Sequence, residues 1–229
     1  MKTATRAASA TVAVINPNSS ALVTLAIERA VNACGASAQT RFDCVTMVDG
    51  PSGVVTQSDA DLAATLTARW IADHEQEASA FVIACFSDPG IAASRERTRK
   101  PVIGLGEAGM LAALATGHRV GVIAIARAAI ARHLRYWRLL ELDHRVAGER
   151  AIDVTVEQSG DPAVAFQRMR EVGAALRDDD RADVLLLGCA GMADLCAPLQ
   201  EALGIPVVDP CAAAAHLALL RLRMASAAS

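Results

Sequence analysis

The stretch Val184-Leu185-Leu186-Leu187-Gly188-Cys189-Ala190-Gly191-Met192 constrains the fold more than any other. Its unbroken aliphatic run suits a parallel β-strand covered on both faces. The run enters a turn of small residues that carries a cysteine, and helix-compatible sequence follows. In open α/β sheets, ligand chemistry collects beyond the carboxyl ends of such strands, which is where Cys189 is expected. A thiol there lies near the first turn of a helix, whose positive dipole end favours a thiolate. Phe81-Val82-Ile83-Ala84-Cys85-Phe86-Ser87-Asp88-Pro89-Gly90 repeats the device with Cys85. Free cysteine usually serves as a small buried hydrophobe, and Cys34, Cys44, Cys196 and Cys211 are read that way. Cys85 and Cys189 stand apart by position: strand end, small neighbours, a following helix and a matched partner.

The 229 residues are enough for one large α/β domain or two small ones. A net charge of −3 with 21% charged residues gives no electrostatic case for nucleic acid. The two Trp, one Tyr and four Phe are too few for base-stacking platforms. No apolar run approaches the roughly 20 residues that span a bilayer, so no membrane partner is expected. Residues 1–10 lack a hydrophobic core segment and read as a frayed end, not a secretory signal. The six cysteines are therefore expected to be reduced thiols in the cytoplasm. No CxxC pair occurs and the five histidines are scattered, so metal-ligand spacing is absent.

Taken in order, residues 11–15 read as a buried strand ending in Asn16-Pro17-Asn18-Ser19-Ser20, a turn with helix-capping residues before a helix to about Val31. Asn16 stands at the strand's carboxyl end, where an amide can donate to and accept from a neutral polar ligand. Residues 41–48 form a second strand. The turn cluster Asp49-Gly50-Pro51-Ser52-Gly53 is read as a substrate-covering loop, with Ser52 its candidate contact. Ser58 or Asp59 starts a long helix with Leu62, Leu66, Trp70 and Ile71 on one face, and His74 follows on a solvated stretch. The third strand delivers Cys85, residues 95–100 read as a solvated helix end, and Pro101-Val102-Ile103 is a short fourth strand.

Gly104-Leu105-Gly106-Glu107-Ala108-Gly109 fits GxGxxG. A dinucleotide site also wants an acidic residue about twenty positions on, at the end of the next strand. That strand ends near Ala126 and Arg127, which suit only a 2′-phosphate, and a lone match is a weak signal.

From Arg119 the pattern starts over: a strand to Ile125, a basic helix over 126–140, a strand over 152–156 and a helix opened by Asp161-Pro162. Asp178-Asp179-Asp180 reads as a solvated loop. The Cys189 strand, a helix through Leu203, the strand Pro206-Val207-Val208 and a final helix complete the second half. Cys85 precedes Pro101-Val102 as Cys189 precedes Pro206-Val207, and each cysteine lies about 70 residues beyond the first strand of its half. This is a duplicated α/β unit in outline. It predicts two pseudo-symmetric lobes, each a mostly parallel sheet flanked by helices, with the active site in the cleft between them. The lobes are expected over 1–117 and 118–208.

One cysteine on each face of a bound carbon is what stereoinversion needs: a thiolate removes a proton from one side and the opposing thiol returns one to the other. Backbone N–H groups of Phe86, Ser87, Ala190 and Gly191 are candidates to stabilise the enolate oxygen formed between those steps.

The residues at this point carry a resemblance. Ile15-Asn16-Pro17-Asn18-Ser19-Ser20, Asp49-Gly50-Pro51, Ala84-Cys85-Phe86-Ser87-Asp88-Pro89-Gly90, the stretch 101–108 and Leu187-Gly188-Cys189-Ala190-Gly191-Met192 resemble the hydantoin and allantoin racemases of the aspartate/glutamate racemase superfamily. The resemblance runs over nearly the whole chain in matching order. It implies a cofactor-independent, two-cysteine racemase, a homo-oligomer acting on a small-molecule substrate. It also implies that 209–229 returns to pack on the first lobe and that the GxGxxG match is a loop of the fold.

Amino-acid racemases of the superfamily typically carry an acidic residue after the first strand and a histidine after the second cysteine. Asn16 and Ala190 stand there instead, which favours a neutral hydantoin-type ring. Hydantoin-type racemases also tend to have a Thr pair where Val122-Ile123-Ala124-Ile125 stands, and Asp-Gly where Asp209-Pro210 stands. Other readings within the superfamily are an arylmalonate decarboxylase-like or maleate isomerase-like enzyme. Outside it they are an NADP-dependent reductase or a non-catalytic small-molecule sensor.

Overall fold

The computed structural model describes residues 10–35 and 40–227; the expectation for the N-terminal end falls on residues 1–9, outside the described residues. Four strands, β1 (Ala10–Asn16), β2 (Thr40–Thr46), β3 (Ala80–Ile83) and β4 (Val102–Gly104), form an all-parallel sheet in the order β2-β1-β3-β4. They alternate with helices α1 (Ala21–Ala33), α2 (Gln57–Asp73), α3 (Ile91–Arg97) and α4 (Leu105–Thr116). The second sheet repeats the order as β6-β5-β7-β8. Its strands are β5 (Val120–Ala124), β6 (Val146–Ala151), β7 (Val184–Leu187) and β8 (Val207–Val208), and its helices are α5 (Arg127–Leu139), α6 (Gln167–Asp178), α7 (Cys196–Leu203) and α8 (Pro210–Ala227).

Strand alternation explains the layering. Successive side chains of a strand point to opposite faces, so Val12, Val14, Val82 and Ile103 of the first sheet and Val122, Val184 and Leu186 of the second share one core between the sheets. Their neighbours Ala13, Ile15, Phe81 and Ile83 face outward with Ile71 of α2. Ile123, Leu185 and Leu187 do the same beneath Met169 and Leu176 of α6. Helices α1, α4, α5 and α8 supply the inter-sheet core with Ile27, Met110, Trp137 and Ala214, among others. The two helices that follow the fourth strands are exchanged: α4 packs on β5, β7 and β8 of the second sheet, whereas α8 packs on α1, α4, β3 and β4.

Two sequence expectations change. The strand expected over 152–156 is instead β6, Val146–Ala151, six residues earlier. Ile152 and Val154 are buried, but they lie past the sheet and donate backbone N–H to Ala124 O and Ile125 O outside its ladder. The long helix begins at Gln57 with a Thr56–Asp59 capping box. Its buried face runs through Ala60, Ala63, Thr67 and Ile71, leaving Leu62 exposed. The charged stretches 95–100 and 178–180 are mostly exposed, as expected, and carry surface contacts. His74 stacks on Trp70 at 4.1 Å, Arg95 pairs with Glu107 at 2.6 Å, and Arg150 pairs with Asp180 at 2.7 Å.

Candidate active site

Cys85 follows β3 on a tight turn in which Asp88 N–H donates to Cys85 O at 2.9 Å. Asp88 takes a left-handed backbone conformation (φ 44°), which short polar side chains tolerate better than others. Its buried carboxylate accepts from the backbone N–H of Gly106 and of Glu107, both at 2.8 Å, at the first turn of α4. The GxGxxG segment is therefore a seat for the protein's own carboxylate. A Cβ on Gly104 would lie 2.4 Å from Asp88 Cγ, and one on Gly106 would lie 2.2 Å from Phe86 O. Tyr136 O–H reaches both Asp88 Oδ2 and Glu107 Oε1 at 3.0 Å.

Cys189 follows β7 and is the N-cap of a short 3-10 helix, Ala190–Leu195. Its sulfur accepts from Gly191 N–H at 3.3 Å and lies 3.5 Å from Ser159 Oγ. Cys85, by contrast, is separated from α3 by residues 86–90, so Cys189 sits at a helix N-terminus as the sequence led us to expect and Cys85 does not.

Both cysteines line one cavity. Its floor and walls include Ala84, Phe86 and Ser87 from the first cysteine loop and Gly188 and Ala190 from the second, with the apolar side chains of Val23, Val54, Val55, Ile125 and Val156 around them. Of the sequence candidates, Cys85, Phe86, Ser87, Cys189 and Ala190 meet there. Three do not. Asn16 is fully buried, its Nδ2 donating to Asn18 Oδ1, Ser20 O and Thr24 Oγ1. Its amide is consumed in holding the turn, and Asn18 is the amide that lines the cavity. Ser52 is exposed outside the lining, although Val54 and Val55 of the same loop belong to it. Gly191 borders the neighbouring surface groove and turns its N–H to Cys189.

The electrostatics also differ from expectation. Burial pushes the Cys85 thiol up to about 12, opposed by the Ser87 backbone N–H and, less strongly, by the Arg132 guanidinium. The proximity of Cys189 and Asp88 raises it further. Burial likewise raises Cys189, opposed by Ser159 and the N–H groups of Gly191 and Met192. Desolvation outweighs the hydrogen-bond donors at both thiols. Burial also raises Asp88 to about 7 against the pull of its donors.

The basic helix expected over 126–140 is α5, and its contribution to the site is what sequence reasoning missed. His133 is buried, lines the cavity, and holds Glu149 Oε1 on Nδ1 at 2.5 Å and Ser87 Oγ on Nε2 at 3.2 Å. Arg132 donates to Ser87 Oγ at 2.9 Å and to Val55 O at 2.9 Å. Phe86 meets the rings of His133 and Trp137 edge-on at 5.1 and 5.6 Å. The signal was present as a stripe: Ala129, His133, Tyr136 and Trp137 share one helix face at spacings of three and four.

Among the described residues, no group of three or more His, Cys, Asp or Glu could hold a metal ion. None of their helices is long and apolar enough to cross a membrane.

Two parallel sheets of identical strand order, with a cysteine loop from each meeting in one cavity, define a two-lobe α/β enzyme. The sequence matches the Asp/Glu/Hydantoin racemase family over residues 12–218, and the chain belongs to that family. It is 32% identical over 205 residues to a hydantoin racemase of Pseudomonas sp. (strain NS671), covering 86% of this chain and 79% of that protein. Among solved structures, the allantoin racemase from Klebsiella pneumoniae superposes with a TM-score of 0.89 at 30% identity, covering 95% of this chain and 89% of that one. An arylmalonate decarboxylase shares the fold at 20% identity, with a TM-score of 0.64 and coverage of 93% and 92%. Family membership makes the protein an isomerase of the racemase class.

Proposed function

We propose that the protein interconverts the enantiomers of a hydantoin-type ring, a 5-substituted hydantoin or an allantoin-like ureide, with Cys85 and Cys189 as the two proton-transfer groups. The observation that carries the reading is that both thiols line one cavity, each at the carboxyl end of the third strand of its sheet. One sulfur, as thiolate, takes the proton from the ring's stereogenic carbon. The opposing thiol gives a proton to the other face, and the roles reverse for the other enantiomer. A desolvated thiolate is a strong base, which suits abstraction from carbon. The backbone N–H groups of Phe86 and Ala190 are the donors for the enolate oxygen, and the Asn18 amide is the contact for the neutral ring. An arylmalonate-type decarboxylation needs one thiol only, and the pair favours racemisation. The reading needs neither metal nor nucleotide, and includes association of copies of the chain.

Enantiomer-resolved exchange in deuterated water tests it. Wild type should exchange the stereogenic hydrogen while racemising, with activity unchanged by a chelator. Cys85→Ser and Cys189→Ser should each stop racemisation while retaining exchange of one enantiomer, opposite in the two variants. Serine's far higher pKa removes one base and leaves the other. Near wild-type racemisation in both variants would exclude the mechanism.

A further inference from the structure

The residues around Cys85 include a buried polar chain that has no counterpart around Cys189. Glu149 accepts from His133 Nδ1, and His133 Nε2 meets Ser87 Oγ. The Glu149 and His133 side chains are only 5% and 4% exposed, so water does not compete for either contact. Arg132 aims two N–H groups, Nε at 3.3 Å and Nη2 at 2.9 Å, at the same hydroxyl oxygen. A serine hydroxyl has two lone pairs and one proton. With the lone pairs taken by Arg132, its proton is what remains for His133 Nε2, while Glu149 fixes the ring N–H on Nδ1. The Ser87 side chain is thus held by three contacts from two residues, and it lies within the turn that Asp88 N–H closes on Cys85 O at 2.9 Å. On the other side Cys189 has Gly191 N–H and a Ser159 hydroxyl that itself donates to Val156 O at 2.7 Å. Among the described residues, no charged or imidazole group takes part there.

We propose that His133, oriented by Glu149, is a positioning residue for the Cys85 half of the reaction: it locks Ser87 and with it the turn that carries Cys85, and so fixes where the Cys85 sulfur sits in the cavity. Cys189 does not depend on it, so the two proton transfers rest on different supports. The inference deepens the racemase reading and rests on it for its kinetic consequence.

The test places His133→Gln in each single-cysteine background and follows deuterium exchange. With Cys85 as the surviving base (Cys189→Ser), exchange should fall about tenfold to a hundredfold, the size of one hydrogen bond to a charged group. With Cys189 surviving (Cys85→Ser), it should fall less than about threefold. Glu149→Gln, which keeps an acceptor for Nδ1 without the charge, should give a smaller loss on the Cys85 side only. Equal losses on both sides, or no loss on either, would overturn the inference. A second measurement needs no substrate: peptide-resolved alkylation by iodoacetamide. His133→Gln should slow alkylation of Cys85 about tenfold and leave Cys189 unchanged. If neither single-cysteine enzyme exchanges but this alkylation difference persists, the racemase mechanism fails while the positioning role stands. If the difference is absent as well, both fail.

Discussion

The two cysteine loops occupy equivalent places in equivalent sheets, yet they are held by different physics. In each case the first helix of one half braces the loop of the other. Helix α5 grips the Cys85 loop through buried polar contacts: His133 to Ser87, Arg132 to Ser87 and Tyr136 to Asp88. Helix α1 packs along the 3-10 turn after Cys189, and its one ion pair there, Arg29 to Asp194 at 2.7 Å, is on the surface. The position three residues after the cysteine tells the same story, being Asp88 in one loop and fully buried Met192 in the other. Duplication has preserved the backbone path and the thiol, while the support around each diverged. A buried hydrogen-bonded brace fixes orientation and is costly to break. Apolar packing fixes position and tolerates small change more readily.

Removing the Asp88 carboxylate should expose this difference most sharply. Asp88→Ala leaves the N–H of Gly106, the N–H of Glu107 and the Tyr136 hydroxyl without a shared acceptor. At about 1–3 kcal/mol for each buried unsatisfied group, a loss of about 3–5 kcal/mol is expected, or about 10 °C in melting temperature. In the second half the N-terminus of α8 is capped by its own Asp209, which accepts from Cys211 N–H at 2.9 Å and Ala212 N–H at 3.2 Å. Asp209→Ala should cost only a helix cap, about 1–2 kcal/mol. Equal melting losses would break the comparison.

A smaller effect comes from Gly104→Ala, which drives a methyl group into the seat of that carboxylate. The expected cost is about 1–3 kcal/mol of overpacking. It should shrink in an Asp88→Ala background, because the atoms it strikes are gone; a double-mutant cycle on urea midpoints reads the coupling.

The pH dependence has a defined sign. Asp88 has a native pKa of about 7, above its ordinary 3.8, so between those values the unfolded chain releases its proton first. The contribution of Asp88 to stability is therefore fully present below about pH 4 and is lost as pH rises through 7. Wild type should lose stability relative to Asp88→Asn across that window, measured by chemical denaturation at fixed ionic strength. A difference that grows with pH would contradict the assignment. Least of all, Arg29→Ala should change stability by less than about 1 kcal/mol and lose even that in high salt, since both partners are at least half exposed.

Much of this was legible in the residues. The aliphatic runs at Val12, Phe81, Val120 and Val184 announce parallel strands because such strands are buried on both faces, and the cysteines at two of their ends mark the cavity. The strand β6, Val-Ala-Gly-Glu-Arg-Ala, was not legible: an edge strand with every residue half-buried carries no apolar run. His133 escaped because α5 is strongly basic and reads as solvated, while its partner Glu149 lies on that same unannounced strand. Asp88 and the glycine loop were each visible, but their fit depends on a crossing of β3 and α4 that local pattern does not encode. Asn16 was chosen over Asn18 because strand-end position was weighed and the inward hydrogen bonds of the turn were not.

The exchange of α4 and α8 has a consequence for how the chain is made. Val82 and Ile103 belong to a core that Ala214, Ala215 and Ala218 of α8 help to close. On a ribosome adding about 5–20 residues per second, the roughly 100 residues between β4 and α8 keep that face of the first sheet uncovered for about 5–20 s. The first four strands thus leave the exit tunnel long before their cover does. Pairings so distant in sequence form late. Synthesis pauses within the second half should therefore govern yield more than pauses within the first, and a nascent chain halted before Pro210 is the species that holdase chaperones would meet.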